Sequence, residues 1–144
     1  MREIQSELLW TGNACEARDA RGLFDTGIAA VIDLAYEERP AQLPRQVVYC
    51  RFPMVDGPGN DPFLLRLALL TTVELLRSET PGIVACSAGM SRSPTIAICA
   101  LAVHLDQSPE IVLAAVNEKS SFELHGDLWA DVGEIVAELQ SAGR

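Results

Sequence analysis

The sequence contains a single lysine, Lys119, against 20 acidic residues, and its formal net charge of −9 leaves no basic stripe for following a polyanion. That balance excludes nucleic acid and anionic membrane as bulk partners, because the summed field repels both. Any anion site has to be local, built from one or two arginines and backbone N–H groups. Aromatic residues make up only 6% of the chain, and its two histidines, His104 and His125, have no cluster of carboxylates beside them. Neither a metal nor any other cofactor is therefore expected. Long apolar runs are missing as well. The longest candidate is broken by His104 and Asp106, short of the roughly 18 apolar residues that suggest a membrane helix. Met1 to Trp10 lacks a basic segment followed by an apolar stretch, so it does not read as a secretory leader, and a cytoplasmic, reducing setting is expected. There the four cysteines, Cys15, Cys50, Cys86 and Cys99, act as separate thiols, since none lies in a paired Cys-x-x-Cys spacing.

What the chain does have is a regular alternation of element types. Its 144 residues, 49% of them hydrophobic, suit one domain over 1–144 with a full core. Glu7 to Trp10 is short and apolar, and after the turn Thr11-Gly12-Asn13 one amphipathic helix is expected over Ala14 to Phe24, closed by Gly27. The apolar run Ile28 to Leu34 predicts a strand buried on both faces, and Gln46 to Phe52 a second of the same kind. Turn formers fill Pro53 to Asn60. Asp61 as N-cap and Pro62 at the first helical position predict a helix to about Ser78. Ile83-Val84-Ala85 is a third buried strand that runs straight into the loop Cys86 to Ser91. Arg92 to Leu105 is apolar on nearly every side, so this helix should be central, with His104 a core residue. Helices from Ser108-Pro109 to near Lys119 and from Asp127 to Leu139 follow. The fold class is α/β, with a mostly parallel central sheet and helices on both faces. Ligands of such sheets bind at the carboxyl ends of the strands, where Cys86 sits.

Cys86-Ser87-Ala88-Gly89-Met90-Ser91-Arg92-Ser93 is a Cys-x5-Arg loop between a buried strand and the start of a helix. Unpaired N–H groups at a helix start, aligned with the helix dipole, make an anion site suited to phosphate, and they stabilise a thiolate too. Ala88 and Gly89 let the loop curl so that the amides of Ser87 to Arg92 point inward. Arg92 supplies a planar fork for two phosphate oxygens. An arginine placed against the dipole makes sense if it faces an anion. A proton donor is needed as well, and two aspartates compete for that role. Asp61 is already engaged as a cap, whereas Asp56 precedes Gly57-Pro58-Gly59 in a loop free to reach over the phosphate.

With Gly12-Asn13, Gly27 to Leu34, Phe52-Pro53-Met54-Val55-Asp56 and Cys86 to Ser93 in this order, the chain resembles the dual-specificity phosphatases of the cysteine-dependent protein tyrosine phosphatase superfamily over nearly its whole length. The resemblance implies a phosphomonoester hydrolase acting on phosphotyrosine, and on phosphoserine or phosphothreonine, of a phosphorylated protein or peptide. It implies Cys86 as nucleophile, Arg92 as clamp, Asp56 as general acid, and Ser93 as the hydroxyl that helps the sulfur leave a cysteinyl-phosphate. Two departures stand out. Ala85 replaces the histidine usual before the nucleophile, so less Cys86 thiolate and a softer loop are expected. Leu124-His125-Gly126-Asp127-Leu128-Trp129 stands where an asparagine and a glycine usually precede a phenylalanine, and His125 reads as structural rather than catalytic. A rhodanese-type sulfurtransferase, a non-catalytic phosphoprotein-binding module and a phosphoinositide phosphatase are the competing readings.

Overall fold

The structure is a computed structural model that describes residues 1–143; Arg144, the end of the expected domain, lies outside them. Five strands, β1 (Arg2–Gln5), β2 (Leu9–Gly12), β3 (Ala30–Ala35), β4 (Val48–Met54) and β5 (Gly82–Ala85), form one sheet in the order β1-β2-β5-β3-β4. All neighbours are parallel except β1, which runs antiparallel to β2. The helices are α1 (Ala14–Arg18), α2 (Ala20–Thr26), α3 (Pro62–Arg77), α4 (Arg92–Leu105), α5 (Pro109–Asn117) and α6 (Gly126–Ala142). Among the described residues no single helix is long and apolar enough to cross a membrane.

β5 lies between β2 and β3, and its side chains alternate between two cores as strand geometry requires. Val84 and Cys86 join the larger cluster with residues of α3, α4 and α6, while Ile83 and Ala85 join a second cluster with Ala17 of α1 and Leu23 of α2. Helices therefore cover both faces. α4 is buried from Arg92 to Ala102, which accounts for its nearly uniform apolar sequence. Gly12 of β2 and Asp33 of β3 are both in register with Ala85, so three parallel strands end at one level.

The departures from the sequence reading have local causes. The helix expected over Ala14 to Phe24 is two, because Asp19 ends α1 and then caps α2, its carboxylate accepting from the Gly22 N–H. β1 has a polar sequence that carries little strand signal, and pairing with β2 forms it. β4 starts and ends later than expected and is only partly buried, because it is the sheet edge. Pro53 is tolerated inside it, since proline's missing N–H is accommodated in an edge strand. His104 is exposed near the end of α4, not a core residue.

Candidate active site

The turn after β2 shapes the loop that leaves β5. The Cys86 N–H donates to the Gly12 carbonyl at 3.2 Å and the Ala14 N–H donates to the Ser87 carbonyl at 3.2 Å. Gly89 has φ +76°, and a Cβ there would lie 2.9 Å from the Gly12 carbonyl carbon. Glycine is thus required twice, for the left-handed backbone and for the close approach. The result brings the Gly89 N–H to 3.3 Å from Cys86 Sγ, and Ser93 Oγ to 3.3 Å on another side. Cys86 is 2% exposed. The thiol donates to the Ser93 hydroxyl; in the thiolate that hydroxyl can turn and donate to sulfur instead. Ala88 is exposed, Ser87 and Met90 are half-buried, and the Met90 carbonyl accepts from the Glu123 N–H at 3.0 Å.

Arg92 is buried at the start of α4, and its fork is partly in use. Nη1 and Nη2 donate to the two carboxylate oxygens of Glu37 at 2.6 and 2.9 Å, and Nη1 also donates to the Met54 carbonyl at 3.0 Å. Sequence reasoning missed Glu37, which reads as one charge in an exposed loop; only the sheet brings it to a residue 55 positions away. The Arg92 hydrogen bonds hold the Glu37 carboxyl at about 2, against an ordinary 4.5. Burial works to lower the Arg92 pKa, but the Glu37 hydrogen bonds and the charges of Cys86, Glu37 and Asp56 outweigh it and raise the value. Glu37 takes the Nη1–Nη2 end, so the edge carrying Nε is the one with which Arg92 can grip an oxyanion. The loop that carries Glu37 is itself tied down, because Arg51 Nη2 donates to the carbonyls of Ala35 and Glu38 at 3.2 and 2.9 Å.

Glu37→Gln should therefore weaken inorganic phosphate binding roughly tenfold, by loosening a charge-assisted, two-pronged bond. Losing a negative charge would act the other way. That carboxylate is 56% exposed and screened by water, so lost orientation wins. Titration calorimetry measures the change, and unaltered affinity would mean that Arg92 keeps its place unaided. The Glu37 pKa is depressed, so the grip is fully present above about 4.5 and is lost only as pH falls towards about 2.

Asp56 is exposed and reaches the loop, as its position suggested, but it is tethered rather than free. The Ser91 hydroxyl donates to Asp56 Oδ1 at 2.6 Å and accepts from the His125 backbone N–H at 2.9 Å. Asn60 braces the same segment, its amide bonding the Val55 N–H and carbonyl, each at 2.9 Å. Asp61 caps α3 by accepting from the Phe63 N–H at 2.9 Å, which leaves Asp56 as the aspartate beside the loop. His125 caps α6, its Nδ1 accepting from the Asp127 N–H at 3.2 Å, and its ring packs over Gly57. Ala85 faces the apolar cluster of Trp10, Ala17, Leu23 and Val31. Cys99 is fully buried and its thiol pKa is pushed up by that burial, whereas Cys15 is exposed and Cys50 half-buried.

No protein-family model matches the sequence, and no curated protein sequence matches it. Solved structures do match. Human DUSP28 superposes with a TM-score of 0.85 at 20% identity, covering 99% of both chains. DUSP15 gives 0.80 at 19% identity, over 99% of this chain and 93% of that one. PTPMT1 in complex with PI(5)P gives 0.74 at 20% identity, over 100% of this chain and 98% of that one. The fold is that of the dual-specificity phosphatases of the cysteine-dependent protein tyrosine phosphatase superfamily. Within it, the structure brings Cys86, Ser93, Arg92 and Asp56 together around one loop.

Proposed function

We propose that the chain is a cysteine-dependent phosphatase that hydrolyses phosphomonoesters of proteins through a cysteinyl-phosphate. One observation carries the reading. Cys86 Sγ accepts a backbone N–H from a loop that ends in a buried, oriented arginine, and an aspartate is bound to the same loop. In the first step the Cys86 thiolate forms an S–P bond as the P–O bond to the leaving group breaks, and the Asp56 proton passes to the departing oxygen. Arg92 and the inward amides hold the phosphoryl oxygens as their charge redistributes. In the second, a water oxygen bonds to phosphorus and gives its proton to Asp56. The S–P bond breaks, and the Ser93 hydroxyl hydrogen-bonds the departing sulfur.

PI(5)P in PTPMT1 favours a second reading, a lipid phosphate substrate. The composition of this loop argues for protein instead. A headgroup with several phosphates calls for extra cations, while Ser87, Ala88, Met90 and Ser91 are uncharged and the chain carries −9 overall. A sulfurtransferase would have no use for Asp56 beside the loop, and a binding module has no need to keep the nucleophile. The test sets a phosphotyrosyl peptide and a phosphothreonyl peptide beside phosphatidylinositol 5-phosphate vesicles, with and without vanadate. Vanadate-sensitive release from peptide is expected. Turnover confined to the lipid would overturn the protein-substrate reading, and thiosulfate turnover without phosphate release would overturn phosphatase chemistry.

A further inference from the structure

Ser91 occupies the N-cap position of α4, where a serine hydroxyl ordinarily accepts a backbone N–H of the first turn. Here it makes no such bond. Its hydroxyl lies between two other segments, 2.6 Å from Asp56 Oδ1 and 2.9 Å from the His125 N. A hydroxyl has one proton and two lone pairs. The His125 N–H occupies a lone pair, so the proton has to point at Asp56. Oδ1 is then an acceptor whichever way the carboxyl is charged, and a transferable proton has to sit on Oδ2. Ser91 is 7% exposed while Asp56 stands in solvent, so the buried partner is the rigid one and sets the direction of the exposed one.

Resting on the phosphatase reading above, we infer that Ser91 is a positioning residue for the general acid: it fixes Asp56 by one oxygen and aims the other at the leaving group. The His125 backbone and the start of α6 complete the brace. The closing contacts of the site are therefore set by α6 as well as by the phosphate loop.

The proposal is tested on two aryl phosphates with the full chain. Phenyl phosphate has a poor leaving group that needs the acid, and 4-nitrophenyl phosphate has a good one that hardly does. Ser91→Ala should lower kcat for phenyl phosphate roughly 10- to 30-fold, the scale of one hydrogen bond to a charged group. For 4-nitrophenyl phosphate kcat should stay within about twofold, and Ser91→Thr, which keeps the hydroxyl, should restore the phenyl phosphate rate. Asp56→Asn should show the same leaving-group dependence, and adding Ser91→Ala to it should cost nothing further, because the two act as one unit. Equal losses on both esters, or additive losses in the double variant, would overturn the assignment. If Ser91→Ala does not fold by circular dichroism, Ser91→Gly removes the hydroxyl and carries the same comparison. A folded wild type inactive on both esters overturns the phosphatase reading itself, and this inference with it.

Discussion

Cys86→Ser is expected to abolish phosphate ester turnover, by about 10⁴-fold or more, while phosphate and vanadate still bind. A serine hydroxyl fills the same space, but at neutral pH it is neither ionised nor supplied with a base. Ser93 lies 3.3 Å from the sulfur, yet its hydroxyl cannot remove a proton. The binding elements survive the change, because the loop is held by the Gly12 and Ser87 backbone bonds and Arg92 by Glu37. Single-turnover hydrolysis of a phosphotyrosyl peptide and calorimetry with vanadate read the two halves separately. Hydrolysis at an appreciable fraction of the wild-type rate would move the nucleophile elsewhere. Loss of vanadate binding together with turnover would mean that the thiolate itself organises the loop.

Arg92→Lys should lower kcat/KM by about 10²- to 10³-fold, the scale of removing one fixed donor from a developing oxyanion. An ammonium carries the same charge, but it cannot hold both Glu37 oxygens in a plane and present another edge to phosphate. The buried stem would still fit. The carboxylate of Glu37 would lose its two-pronged partner and turn towards solvent, where it is already half exposed. The loss should appear in kcat and in vanadate affinity alike. A Lys variant within a few-fold of wild type would show that charge alone, not the planar fork, is what the site uses.

The parts of the site that were legible in the sequence are those written locally. An apolar strand, a tight loop with Gly89 and an apolar helix follow one another without a break, so Cys86, Arg92 and Ser93 could be placed from sequence alone. Asp56 and Asp61 could be separated because a cap beside a proline has its own signature, and Asp61 does cap α3. Glu37 and the role of Ser91 were not legible. Each depends on a contact across dozens of residues, created when β3 and β4 align beside β5, and neither Tyr36-Glu37-Glu38 nor a serine before an arginine announces it. Edge position explains the errors at β1 and β4, since a strand with one neighbour needs less apolar sequence than one buried on both faces. The position of Ala85 adds a point about the missing histidine. It faces the second, apolar cluster, so an imidazole introduced there would meet Trp10 and Leu23 rather than the α4 side of the loop.

The level ends of β2, β5 and β3 have a thermodynamic consequence. The candidate site draws on turns and loops after four strands, at Gly12, Glu37, Asp56 and Cys86 to Ser93, and no contiguous piece of chain contains it. An unfolded or half-assembled chain therefore has no affinity for an oxyanion. Any such ligand acts as a folding ligand, adding about 2.7 kcal/mol to the native state at a hundredfold excess over its Kd. Free phosphate in the surroundings thus sets the apparent stability of the whole sheet as well as the occupancy of its loop.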